Sequence, residues 1–154
     1  MIIRYLRAFA ILALLAATSP ASADVELQVS EPWIREAPPT SRVLAGYLTL
    51  VNTSDNTITV TAISSPDFEN AEIHRTVIED GIARMLAVKQ LEVPANGQLT
   101  LEPGGYHLML FEPRRSLTAG ETVTLVIQRN NGEQITISAP VIRKTGEDHS
   151  HHHH

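Results

Sequence analysis

Residues Ala71–Val88 read AEIHRTVIEDGIARMLAV, two apolar-rich runs on either side of Asp80-Gly81. Asp-Gly is a strong signal for a two-residue hairpin, because the favoured turn needs positive φ at both central positions. With Asp80-Gly81 as the turn, Glu79 pairs with Ile82 and Met85 lies opposite Thr76. His74 is two residues from Thr76 on the same strand, so it shares a face with Met85. Such diagonal neighbours lie about 7–8 Å apart, within reach of long side chains.

The same pattern repeats outward. Val43–Val51 (VLAGYLTLV), Thr57–Ile63 (TITVTAI), Gln98–Leu101, Tyr106–Phe111, Glu121–Gln128 and Gln134–Ile142 are strand candidates rich in Val, Ile, Thr and Leu, and Val25–Val29 adds another. Asn96-Gly97, Pro103-Gly104-Gly105 and Asn131-Gly132 supply turns. Pro38-Pro39 marks a loop or crossover. The sequence has no amphipathic helical stretch and no internal repeat. Many short strands at this spacing predict an all-β domain, an antiparallel sandwich or barrel.

Composition narrows the function. The 154 residues include no Cys, 3 Met and 7 His, and the formal net charge is −5. No Cys means no disulfide, thiolate zinc site, thiol nucleophile or copper centre built on a Cys sulfur. The acidic balance argues against nucleic acid as a partner. Met1–Ala23 reads as a secretory signal peptide. Arg4 and Arg7 precede the apolar run Ala8–Ala17, and Ala21-Ser22-Ala23 fits a cleavage site before Asp24. The run is too short for a membrane span, which needs about 20 apolar residues. No lipidation Cys follows, so we expect a soluble periplasmic protein without stable membrane insertion, and a monomer. Residues 24–145 form the domain, and Gly146–His154 (GEDHSHHHH) is a polar tail expected to be disordered.

After signal cleavage, the soft ligands of the folded part are His74, Met85, His107 and Met109. Ten residues separate the first pair, twenty-one the second and one the third. His107 and Met109 share a strand face, with Tyr106, Leu108 and Leu110 on the other. The core-facing set is expected to be the latter, leaving His107 and Met109 outward or at a rim. Thioether sulfur is a soft neutral donor that selects Cu(I), and imidazole suits copper in either oxidation state. A two-His, two-Met set carries no charge and leaves Cu(II) less well compensated than Cu(I). Taken singly, a strand Met is usually core filler and a lone His a satisfied polar group. The residues alone leave both readings open, and spacing does not establish that the two faces meet.

The spacing His74, ten residues, Met85, twenty-one residues, His107, one residue, Met109 resembles the signature of the periplasmic copper chaperone family PCuAC. Val29–Asn52 (VSEPWIREAPPTSRVLAGYLTLVN) and Pro103–Leu110 (PGGYHLML) are similar to that family's opening and second ligand strand. The resemblance spans Val25 to Ile142. It implies a cupredoxin-like, Greek-key β-sandwich with a surface-exposed Cu(I) site whose ligands are these four residues. It implies delivery of copper to the CuA centre on subunit II of cytochrome c oxidase, alongside Sco-like thioredoxin-fold proteins. Many members carry Met directly after the first His. Here Arg75 stands there, and its positive charge beside the site is expected to weaken binding or speed release.

The tail histidines, His149 and His151, His152, His153 and His154, read as a purification tag or as a native metal-binding extension. We favour the native reading, in which clustered imidazoles take Cu(II). Trp33 is expected to be a packing residue near a sheet end. Arg114-Arg115 reads as a solvated loop, with docking to an acidic partner as the alternative. Asn52-Thr53-Ser54 fits a glycosylation pattern without relevance to a bacterial protein. A blue-copper electron carrier is excluded by the missing thiolate, and no hydrolase motif is present. No enzymatic activity is expected. The competing readings are a metal-free exported interaction or adhesion sandwich and a general copper storage or tolerance protein.

Overall fold

The computed structural model describes residues 26–144, and ten strands follow one another within them. They are β1 Leu27–Arg35, β2 Val43–Asn52, β3 Ile58–Ser64, β4 Phe68–Glu79, β5 Ile82–Val88, β6 Leu91–Val93, β7 Gly97–Leu101, β8 Tyr106–Pro113, β9 Thr122–Arg129 and β10 Gln134–Ile142. The fold is all-β. The signal peptide read at Met1–Ala23 and the tail Gly146–His154 lie outside the described residues.

The β4–β5 hairpin follows its turn chemistry. Asp80 and Gly81 both take positive φ, 53° and 77°, and the ladder pairs Glu79 with Ile82 and Thr76 with Met85. Two features went beyond the sequence pattern. First, β1 continues past Val29 to Arg35 through a register shift between Ser30 and Trp33. Glu31 sits there at φ 49°, a bulge that carries the strand past Pro32, which has no N–H to give the ladder. Second, three-residue β6 pairs with β3, and a segment that short has no readable period.

The strands join in the order β5-β4-β8-β7-β2-β1-β10-β9-β3-β6, with a further β8–β2 pairing. Pairing is antiparallel except for short parallel contacts of β1 with β10 and of β7 with β8. One apolar cluster unites the two halves of the sheet. Leu44, Leu48, Ile73, Leu108 and Leu110 come from one half, and Ile58, Val60, Val123, Leu125 and Ile127 from the other. Gly46 lets β1 and β8 close on β2, since a Cβ there would lie 3.0 Å from Ile34 Cδ1 and 3.4 Å from Leu108.

Polar contacts fasten the ends. Asn52 is buried, and its amide donates to the carbonyls of Asn56, Val93 and Pro94, while its oxygen accepts from the Ser54 N–H and hydroxyl. Glu36 accepts from Arg143 and from the Ala119 N–H. These two donors hold its carboxyl well below the usual range, at about 2. For the site, the result that matters is the neighbourhood of β8. It is interior to the sheet, while β5 is the edge strand beyond β4.

Candidate metal centre

The ladder between β4 and β8 pairs His74 directly with His107 and Glu72 with Met109. Residues opposite each other in an antiparallel pair point to the same face. Glu72, His74, His107 and Met109 therefore share one face, and Met85, opposite Thr76, joins it from β5. The four residues read from the sequence thus share one face of three adjacent strands, with Met85 and Met109 on either side of the His74–His107 pair. Ile73 and Leu108 fill the opposite, core face. Across β2 the same face continues through Ala45, which pairs with Met109, to Tyr47, which stacks on Trp33 at 4.5 Å between ring centroids. Burial pushes the Tyr47 phenol above its usual pKa, so it stays neutral.

The imidazoles are held from behind. His107 is 5% exposed, and its Nδ1 lies 3.1 Å from the Gly105 carbonyl. A carbonyl only accepts, so Nδ1 is the donor, and in the neutral ring that leaves Nε2 bare. His74 Nε2 lies 2.9 Å from a Glu72 carboxylate oxygen. A carboxylate oxygen accepts, so Nε2 is the donor, and in the neutral ring that leaves Nδ1 bare. Those two bare nitrogens, His74 Nδ1 and His107 Nε2, are buried with no hydrogen-bond partner in the protein. Each such orphan costs about 1–3 kcal/mol.

Ring spacing tests whether one ion fits between them. A first-row metal sits about 2.0 Å from an imidazole nitrogen, or about 3.2 Å from the ring centre, so two rings on one ion have centres at most about 6.4 Å apart. Here the centroids are 6.0 Å apart with the planes tilted by 43°, inside that limit. Among the described residues no group of three or more His, Cys, Asp or Glu side chains could hold a metal. The remaining soft donors on this face are the thioethers of Met85 and Met109. Met109 is half-buried beside His107, whereas Met85 is 62% exposed at the sheet edge.

Several expectations change. His107 is buried, because β4 and β2 flank β8 and leave it no rim. Arg75 is not beside the histidines: it pairs with Tyr106, on the opposite face, and its guanidinium lies 5.2 Å from the Tyr106 ring. Trp33 packs, as expected, but inside β1 after the bulge. Arg115 is engaged within the chain by Asp67 and Glu121, and Asn52 is committed to its buried network. Glu72 and Gly105, which orient the two rings, were missed. For Glu72 the signal is present, since it precedes His74 by two residues on β4 and period two puts such side chains on one face; Gly105 acts through its backbone carbonyl just before β8, which no side-chain pattern shows.

The family model described as "Putative lipoprotein LpqE-like" matches residues 27–141. The chain belongs to the LpqE-like family. The "Putative lipoprotein Lxx21020" of Leifsonia xyli is 29% identical over 127 residues, covering 82% of this chain and 75% of that protein. Among solved structures, apo-DR1885 of Deinococcus radiodurans is 30% identical, with 94% of this chain and 95% of that one covered and a TM-score of 0.63. The same protein has been solved in its CuI form. The copper-bound PCuAC domain from PmoF2 aligns with a TM-score of 0.65 at 19% identity, covering 77% of this chain and 94% of that domain. This LpqE-like chain thus has the fold of PCuAC domains, the cupredoxin-like β-sandwich.

Proposed function

We propose that this protein is an exported copper chaperone that carries one Cu(I) on His74, Met85, His107 and Met109. The observation that carries the reading is the pair of buried, unpartnered nitrogens on facing histidines, flanked on one face by two thioethers. Buried polar atoms are normally satisfied, and a bound cation would satisfy both at once. Neutral N and S donors favour Cu(I) over harder ions. The CuI form of the 30% identical Deinococcus protein supports the choice of metal.

Cu(I) is cargo here. With no thiol in the sequence, the site holds copper through sulfur that cannot form disulfides. Its exposed ligand, Met85, faces an approaching acceptor. The acceptor is the CuA centre on cytochrome c oxidase subunit II, with Sco-like proteins as co-workers. That assignment rests on the resemblance of the His/Met spacing to PCuAC proteins. Export, to the periplasm, rests on the N-terminal pattern and on lipoprotein relatives. The tail histidines, His149 and His151–His154, would form a second, Cu(II) site, and deleting Gly146–His154 should lower Cu(II) stoichiometry.

Titrating the reduced protein with Cu(I) while recording X-ray absorption tests the main reading. One equivalent in a mixed nitrogen and sulfur shell is expected. A shell of nitrogen and oxygen alone, or no binding, overturns it.

A further inference from the structure

The two histidines of the site are oriented differently. His107 is tied through Nδ1 to a backbone carbonyl, and His74 is tied through Nε2 to a side chain, Glu72. We propose that Glu72 is a positioning residue that makes His74 bind the metal through Nδ1, while His107 binds through Nε2. This inference rests on the copper reading above.

The argument is one of donors and acceptors. Imidazole has one bare nitrogen when neutral, and the bond made by the other nitrogen decides which it is. A carboxylate accepts, so Glu72 keeps the His74 proton on Nε2 and turns Nδ1 inward, where it is buried. Glu72 is well placed for this. It is two residues from His74 on β4 and directly opposite Met109 on β8. Asn70 also donates to its other oxygen, at 3.1 Å. The Glu72 side chain is itself 45% exposed. It also supplies the only carboxylate on the His/Met face among the residues paired there, which places a negative charge behind an otherwise neutral ligand set. Partners of this kind orient a ligating His and raise its basicity, and losing one typically lowers metal affinity about 10–100-fold.

The test uses the full chain labelled with 15N. Long-range 1H–15N spectra of the imidazoles are recorded in chelator and with one equivalent of Cu(I), beside Cu(I) affinity by chelator competition. In the wild type, His74 should be protonated at Nε2 and His107 at Nδ1. Cu(I) should shift only His74 Nδ1 and His107 Nε2 as ligands. Glu72→Ala should populate both His74 tautomers and weaken Cu(I) binding about 10–100-fold. Glu72→Gln keeps an acceptor oxygen and should recover the single tautomer and most of the affinity. Glu79→Ala removes a carboxylate that pairs with Arg84 on the opposite face and should change neither. A wild-type His74 protonated at Nδ1, or E72A with its tautomer intact and affinity within about twofold of wild type, against that loss, overturns the proposal while Cu(I) binding stands. A wild type that binds no Cu(I) overturns the copper reading, and this proposal with it.

Discussion

Replacing His107 with Leu should make the metal-free protein more stable and the copper-loaded protein less stable, a reversal that few core substitutions produce. His107 Nε2 is buried without a partner, and removing such an orphan recovers about 1–3 kcal/mol. The variant loses the Nδ1 bond to Gly105, worth about 0.5–1.5 kcal/mol. The Gly105 carbonyl keeps a second donor, the Thr76 N–H at 3.0 Å, so no new orphan appears. The net is a gain of about 1 kcal/mol, or about 4 °C in Tm for a domain of this size. Copper reverses the order. Free Cu(I) buffered at a hundredfold above Kd stabilises the wild type by about 2.7 kcal/mol, and the variant, lacking a ligand, gains far less. Thermal melts followed by circular dichroism, in chelator and in buffered Cu(I), read both halves. A variant that melts below the wild type in chelator would refute the claim that Nε2 is an unsatisfied atom kept for a ligand.

Further expectations follow from the same geometry. Met85→Ala, at an exposed edge position, should change apo stability by less than about 0.5 kcal/mol yet raise the rate at which a competing chelator strips Cu(I), measured by stopped flow. Arg75→Met should leave Cu(I) affinity unchanged by competition titration, because Arg75 faces away from the site. Its cost is the contact over Tyr106, about 0.5–1 kcal/mol of stability in urea unfolding. Glu36→Gln should alter the acid limb of the stability profile. The Glu36 pKa is lowered from 4.5 to about 2 by Arg143 and the Ala119 N–H, so its contribution is full above the unfolded value and fades as pH falls from about 4.5 towards 2. Urea unfolding at pH 7 and pH 2.5 should show the wild type losing more of its stability across that interval than the variant.

The strands were readable because most alternate or run apolar between Gly, Asn and Pro turns, and hairpin register follows from the turn alone. Asp80-Gly81 thus places Met85 opposite Thr76. What local pattern does not carry is strand order. The decisive contact of the site, His74 against His107, joins residues from strands separated by β5, β6 and β7, and only the neighbouring of β4 and β8 creates it. The burial of His107 was misjudged for the same reason, since alternation assigns a face but not what lies on either side. Arg75 was misjudged by sequence adjacency. In a strand the neighbour at one residue lies on the far face, and the neighbour at two residues, here Glu72, is the one that touches.

Strand order also grades how firmly each ligand is held. β8 is paired on both sides, so His107 and Met109 sit on a strand that moves only if the sheet opens. β4 is paired with β8 and β5, and His74 is further tied by Glu72. β5 is paired on one side, and its residues through Ala87 are exposed, which places Met85 on the element easiest to displace. Ile78, Ile82 and Leu86 are also exposed around that hairpin, so opening it uncovers little further apolar surface. On the copper reading, the ligands should therefore let go in a fixed sequence. Met85 leaves first as an acceptor thiol or thioether approaches over the edge. The two buried nitrogens leave last, because losing the ion restores their unsatisfied state. A site built the other way round, with thioethers inside and histidines at the edge, would expose the imidazoles to water, which satisfies them, and would lose that late hold on the cargo.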